Sequence, residues 1–266
     1  MAQAELVDFL GMGMSVLEIS HRSPAFEQVL SDTQNNLRVL LDLPSDYRIL
    51  FLHGGATLQF SMVPINLLRG SGRHADYVVA GTWGKKAVIE ARREGDVHVL
   101  WDGESEAFTR MPRPDEWRQD PEAAYVHITS NEPIQGLQLQ WDPETAPVPL
   151  VCDMSSDFLS RPIAVERYGI IYAGAQKNAG PAGVTVVILH EELLEHVPTG
   201  LHTLLDYAVH AAKDSMHNTP PVFSVYMVNL VTEWLLNEIG GLREMASINV
   251  EKAGLLYRVI DAVSYT

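Results

Sequence analysis

Short apolar runs alternate with stretches of helical periodicity from residue 26 to about residue 200. Strands and helices in succession predict an α/β domain with a largely parallel sheet, because each parallel pairing needs a crossover connection. The pattern predicts a helix over 25–42, a strand over 48–53, and a turn at Gly54-Gly55-Ala56-Thr57 opening a helix to about residue 68. Strands are expected over 77–80, 97–101, 124–128 and 148–152, with a helix over 85–93 between the first two. Two further strands, 168–173 and 184–189, bracket a tight Gly/Pro loop. In such a sheet the ligand belongs at the C-terminal ends of the strands.

Beyond residue 200 the pattern becomes helical. Apolar residues at helical spacing run over 222–239 and stop at Gly240-Gly241, a fitting C-terminal signal. A second long helix is expected over 242–263, with alternating charge on its outer face. No internal repeat, linker or low-complexity segment interrupts the chain.

Charge and composition narrow the function classes. A formal net charge of -15 leaves no basic stripe for phosphate backbones, so no nucleic-acid partner is expected. No run of apolar residues is long enough to span a bilayer, and the first residues lack a basic then apolar leader pattern, so no membrane association and a cytoplasmic location are expected. Cys152 is the only cysteine, which excludes an intramolecular disulfide and a multi-cysteine zinc site. The ten histidines show no HExxH or comparable spacing, so no metal site is expected.

Six places carry candidate chemistry. Lys177 is trapped in the loop between two apolar runs, where an amine held near the core would be a nucleophile, a proton carrier or a Schiff-base former; a plain surface lysine is the alternative. Asp153 follows the 148–152 strand and either faces a ligand or caps the turn Asp153-Met154-Ser155-Ser156. The pair has a shared logic in pyridoxal phosphate chemistry, in which a lysine binds the aldehyde and an aspartate keeps the pyridine nitrogen protonated. The Gly54–Thr57 turn offers backbone N–H groups at a positive helix end, suited to a phosphate or simply a tight turn. Trp83 could lay its ring on a flat cofactor or belong to the core. His21 and Arg22 suit an anionic group, and Asn218 and Thr219 either donate to an anion or begin the following helix.

Taken together, Ser20-His21-Arg22, His53-Gly54-Gly55, Gln59-Phe60, Ala80-Gly81 with Trp83, the run from Tyr172 to Asn178 with Gly180-Pro181-Ala182-Gly183, and Asn218-Thr219-Pro220-Pro221 resemble the phosphoserine aminotransferase family. The resemblance covers nearly the whole chain in the family's order. It implies the large domain of aminotransferase fold type I, a mostly parallel sheet flanked by helices, and pyridoxal 5′-phosphate as cofactor. The implied reaction is transamination between glutamate and 3-phosphohydroxypyruvate, giving 2-oxoglutarate and phosphoserine for serine biosynthesis. Lys177 matches the lysine that carries the cofactor and Asp153 the residue on its ring nitrogen. Trp83 matches the stacking tryptophan, while Ala56, Thr57 and Gln176 match contacts around the phosphate. Asn218 and Thr219 match residues that reach the other subunit's cofactor, which implies a homodimer, and His21 and Arg22 match receivers of the substrate's distal anionic group.

The family pattern also includes a leading Phe-Ser-x-Gly-Pro-Ala segment and roughly a hundred residues beyond the position of Thr266, a domain-sized addition. The latter carries an arginine for the substrate α-carboxylate. Neither lies within these 266 residues. The expected organisation is therefore a cofactor-binding domain over 1–241 and, over 242–266, a long helix leading towards a small C-terminal domain. Pro133 stands where the family has a cofactor-contacting threonine, and some members have arginine at the Thr57 position. The alternatives are a cofactor-binding module without full catalytic competence, or another aminotransferase or lyase of the same fold.

Overall fold

The apolar runs become the strands of one central sheet in the computed structural model, which describes residues 1–263. In chain order the strands are β1 (Tyr47–Leu52), β2 (Ala75–Val79), β3 (Val97–Asp102), β4 (Val126–Thr129), the hairpin pair β5 (Asn131–Glu132) and β6 (Leu137–Gln138), β7 (Leu150–Asp153), β8 (Tyr168–Gly174) and β9 (Thr185–His190). The seven-stranded sheet has the order β1-β9-β8-β7-β4-β2-β3, with β5 and β6 paired separately. From β8 to β3 every pairing is parallel; β9 alone is reversed, antiparallel to both β1 and β8. Six strands therefore run the same way and end at one edge, the edge of Leu52, Val79, Thr129, Asp153 and Gly174.

Every residue of β2 and of β7 is buried, because helices cover both faces. The two-residue alternation of a strand divides them: Val151, Ile170 and Tyr172 point to one apolar layer and Leu150, Cys152 and Ile171 to the other. Helices α3 (Gly55–Leu67) and α4 (Thr82–Ala91) supply the first layer through Phe60, Met62, Val63, Ala87 and Val88. The second is covered by α2 (Pro24–Leu41) and α6 (Val222–Trp234), the latter continued by a π-helical turn over Leu235–Ile239. A short α1 (Ala2–Glu5) opens the chain, α5 (Tyr207–Ala212) sits between β9 and α6, and α7 (Leu242–Ala262) closes it.

Local signals set most helix ends. Ser23 accepts from the N–H of Phe26 at 3.3 Å with Pro24 in the first turn, and α6 with its π turn stops where Gly240 turns left-handed at φ 91°. Three features depart from the sequence expectation. The reversed β9 is one, since a connection of ten residues or so returns directly only as an antiparallel neighbour. α5 is another, capped by Asp206 Oδ1 accepting from Ala208 and Val209 N–H. The third is α7: only Leu242 and Met245 are buried, and beside its exposed charges, among them Glu251, Lys252 and Arg258, it exposes Val250, Leu256, Tyr257 and Val259.

A buried polar pair ties α5 to α3. The Tyr207 hydroxyl donates to Gln59 Oε1 at 2.6 Å, both residues being buried. Tyr207→Phe leaves that oxygen without a donor, and the expected loss is about 1–3 kcal/mol of stability, read as a lower urea midpoint at unchanged slope. Among the described residues no helix is long and apolar enough to cross a membrane.

Candidate active site

A cleft of about 450 Å³ opens at the C-terminal edge of the sheet, lined by Gly55, Ala56, Thr57, Trp83, Asn131, Asp153, Ser155, Ser156, Gln176 and Lys177. Six sequence candidates thus meet there from four separate stretches of chain. Each follows, or ends, a strand: Ala56 and Thr57 follow β1, Trp83 follows β2, Asp153 is the last residue of β7, and Gln176 and Lys177 follow β8. Three larger clefts, of about 890, 810 and 720 Å³, lie at the strand-start edge around Tyr47 and Tyr168, beside His53, and around Trp117 and Trp141. None sets an amine opposite a buried carboxylate, so volume does not identify the site here.

Asp153 is 4 % exposed. Its Oδ1 accepts from the N–H and the hydroxyl of Ser155 at 2.9 and 2.7 Å, and Ser155 Oγ in turn accepts from Gly174 N–H at 3.0 Å. Burial pushes the carboxyl up to about 6; the Ser155 bonds and the Lys177 ammonium pull against that shift. On the same face below lies His127, which shares a 2.7 Å hydrogen bond with the Tyr172 hydroxyl and whose pKa burial lowers to about 3. With His127 neutral, Lys177 is the cation that acts on Asp153.

Lys177 itself is exposed, with Nζ 5.1 Å from the centre of the Trp83 ring. The expectation of an amine held close to the core is corrected: residues 176–178 stand out from the sheet edge, and only Ala175 and Ala179 on either side are buried. The amine faces an open cleft.

Two helices begin at this edge, and only one is free to take an anion. The first N–H groups of any helix lack intrahelical partners and carry partial positive charge. At α4 the position is filled by Glu132, fully buried, whose two oxygens accept from Trp83 N–H at 3.0 Å and Gly84 N–H at 2.8 Å. Gly81 permits that approach, since a Cβ there would stand 2.6 Å from the Glu132 carboxyl carbon. At α3 no side chain caps the helix, and Gly54, left-handed at φ 96°, turns its first residues into the cleft. A phosphate is therefore directed to Ala56 and Thr57 rather than to Trp83.

Glu132 gave no signal in the sequence, where it sits beside Asn131 and Pro133; its partner is Trp83, 49 residues earlier. It also explains why α4 begins at Thr82, three residues before the apolar pattern suggests. Glu132→Ala is expected to lower stability by about 2–4 kcal/mol, since two charge-assisted bonds are lost and buried N–H groups are stranded. Denaturant melts of the two proteins would measure it, and a change under about 0.5 kcal/mol would refute the capping role.

The remaining candidates stand apart from this cleft. His53 Nε2 shares a 3.0 Å hydrogen bond with the Thr219 carbonyl, pinning the Asn218–Thr219 loop at the end of β1 beside the neighbouring apolar cleft. His21 is half-buried and Arg22 exposed in the turn before α2, and Arg22 makes no ion pair among the described residues. Pro133 lies in the exposed turn between β5 and β6 and does not line the cleft, whereas Asn131, Ser155 and Ser156 do. Cys152 is fully buried on the opposite face from Asp153, its thiol pushed up by desolvation, so it is no nucleophile.

Comparison with known proteins bears on the whole chain. The sequence profile of class-V aminotransferases matches residues 2–266. The chain is 52 % identical over 259 residues to phosphoserine aminotransferase of Acidithiobacillus ferrooxidans, covering 97 % of this chain and 71 % of the relative. The chain belongs to the phosphoserine aminotransferase family. Among solved members, the phosphoserine aminotransferase from Bacillus circulans subsp. alkalophilus superposes with a TM-score of 0.95 at 46 % identity, over 98 % of this chain and 72 % of that one. The enzyme from Trichomonas vaginalis, solved with pyridoxal phosphate bound, gives a TM-score of 0.92 at 39 % identity, over 98 % of this chain and 77 % of its own. The phosphoserine aminotransferases are pyridoxal-phosphate enzymes of fold type I, and the cleft fits that cofactor on its own chemistry. It offers an amine for an aldehyde, an uncapped helix N-terminus for a phosphate, an indole face for a ring, and a buried carboxylate with one oxygen free of hydrogen bonds.

Proposed function

We propose that this chain transfers the amino group of glutamate to 3-phosphohydroxypyruvate, giving 2-oxoglutarate and phosphoserine, with Lys177 and Asp153 as its catalytic pair. The observation that carries the reading is that an exposed amine and a buried, half-satisfied carboxylate open on one cleft beside the uncapped start of α3. When bound, pyridoxal phosphate supplies an electron sink for negative charge at the substrate α-carbon. Asp153 as carboxylate would hold a proton on the ring nitrogen and so keep that sink charged, with Ser155 fixing its orientation through Oδ1. Ala56 and Thr57 would hold the phosphate through backbone N–H groups and the hydroxyl, Gln176 would add a donor, and Trp83 would offer its face to the ring. Lys177 Nζ would hold the cofactor's aldehyde and, when free, would be the base that carries the proton to and from the substrate α-carbon.

The substrate and partner assignments belong to the same proposal. His21 and Arg22 are assigned to the distal anionic group; the absence of an ion partner leaves the Arg22 guanidinium available. Asn218 and Thr219, outside their own cleft, are assigned to the cofactor phosphate of a second subunit, which makes the working form a homodimer. The exposed apolar residues of α7 fit a helix that continues into further protein mass, in keeping with a chain that spans about 71 % of its relatives. A cytoplasmic location accords with the substrates.

The test is an absorption spectrum of the purified chain with pyridoxal phosphate, before and after glutamate and after borohydride, with peptide mapping. Attachment at Lys177 that glutamate releases supports the proposal. Attachment at a different lysine, or none at Lys177, removes the assignment.

A further inference from the structure

We propose that His74, Asp76 and His98 form a binding site for one divalent transition-metal ion of the zinc class, at the strand-start edge of the sheet, remote from Lys177. The arrangement follows from strand register. Asp76 is the second residue of β2 and its partner on the parallel neighbour β3 is His98, while His74, two residues before Asp76, shares its side of the strand. His74 Nε2 lies 3.5 Å and His98 Nδ1 3.8 Å from Asp76 Oδ1, and one ligand atom from each of the three residues falls within 4.8 Å of the others. Asp120 Oδ2 stands 3.6 Å from His74 Nε2 as a fourth donor.

Two observations distinguish this cluster from a chance meeting of polar groups. Asp76 is fully buried, and both its Oδ1 and His74 Nε2 are buried without a hydrogen-bond partner. Buried polar atoms are almost always satisfied, so a pair left facing each other calls for something between them. The second carboxylate oxygen is already fixed: Asp76 Oδ2 accepts from Asp120 N–H at 2.8 Å, an outer contact of the kind that orients a metal ligand.

The spacing suits a small cation. Tetrahedral zinc with bonds near 2.0–2.1 Å places its ligand atoms roughly 3.4 Å apart, so the 3.5 and 3.8 Å separations from Asp76 Oδ1 need only a slight contraction. The two imidazoles stack at 4.0 Å with 29° between their planes, so one ring has to turn for both nitrogens to aim at a common point. His98 is free to do so, its side chain being 56 % exposed, and the same exposure gives the ion a way in. Two imidazoles and one or two carboxylates favour zinc, cobalt or nickel over magnesium or calcium.

The experiment titrates the full chain, without an affinity tag and stripped with chelator, with Zn²⁺ by calorimetry and with Co²⁺ by visible absorbance. One equivalent should bind. His98→Ala, at an exposed position, should weaken binding at least tenfold, His74→Gln should do the same, and saturating Zn²⁺ should raise the melting temperature of the parent but not of His98→Ala. Cofactor attachment at Lys177 should be unchanged in both variants, which separates failure here from failure of the active-site assignment. No stoichiometric binding, or binding that both variants retain, overturns the site and leaves the cluster a set of histidine–aspartate contacts.

Discussion

Lys177→Ala abolishes borohydride-trappable cofactor attachment, and transamination falls by roughly 10⁴-fold or more. Two functions are expected to disappear with one amine, since the proposal makes the same Nζ both anchor and proton carrier, and the proton-transfer part alone is worth about 10²–10⁴-fold. Lys86 provides the internal control. Its Nζ lies 4.4 Å from the centre of the Trp83 ring, nearer than that of Lys177, yet Lys86 does not line the cleft. Lys86→Ala is therefore expected to keep attachment and most of the activity. Arginine at 177 gives no rescue, because a guanidinium keeps its charge at working pH and cannot serve as a nucleophile or base. Full activity in Lys177→Ala would end the assignment.

Asp153→Asn is expected to bind cofactor and still turn over at least about a hundredfold more slowly, because an amide cannot hold the ring nitrogen protonated. The pH dependence supplies a second readout. Burial holds Asp153 up to about 6, so the folded chain binds this proton more tightly than the unfolded one. Its contribution to the stability of the cofactor-free chain is complete below the ordinary carboxylate value of about 4 and is lost as pH rises through about 6. A shift of that size corresponds to something on the order of 3 kcal/mol. In the proposed role the cofactor requires the carboxylate, so affinity is expected to climb as pH rises through about 6. The Asn variant should lose both slopes; an unchanged rate with unchanged slopes would take Asp153 out of the mechanism.

The parts of the fold legible in the sequence were those written within a few consecutive residues. The turn from β1 into α3 is announced by Gly54-Gly55, α2 by Ser23-Pro24, and the end of the π turn by Gly240-Gly241. The cleft was legible for the same reason: in a mostly parallel sheet, residues that follow strands converge without further instruction. Long-range contacts were not. Glu132 reaches α4 across 49 residues, and His74, Asp76 and His98 meet only through the register of β2 and β3. For Lys177 the two apolar flanks suggest an interior position and leave the surface alternative open, and the turn between reversed strands carries its middle residues outward.

The reversal of β9 also bears on the order in which the site assembles during folding. Gly174 pairs with Thr185 across a connection formed by residues 175–184, so the strands that frame Lys177 are close in sequence and close their loop at small entropic cost. Asp153, Trp83 and the start of α3 come from progressively earlier chain and meet that loop only when the parallel strands have zipped, the slower process. Lys177 is thus expected to be framed in a nascent hairpin before there is a cleft for a cofactor to occupy. Specific cofactor capture in a refolding experiment then serves as a clock for the last, long-range stage of assembly, read out at a residue that was among the first to be framed.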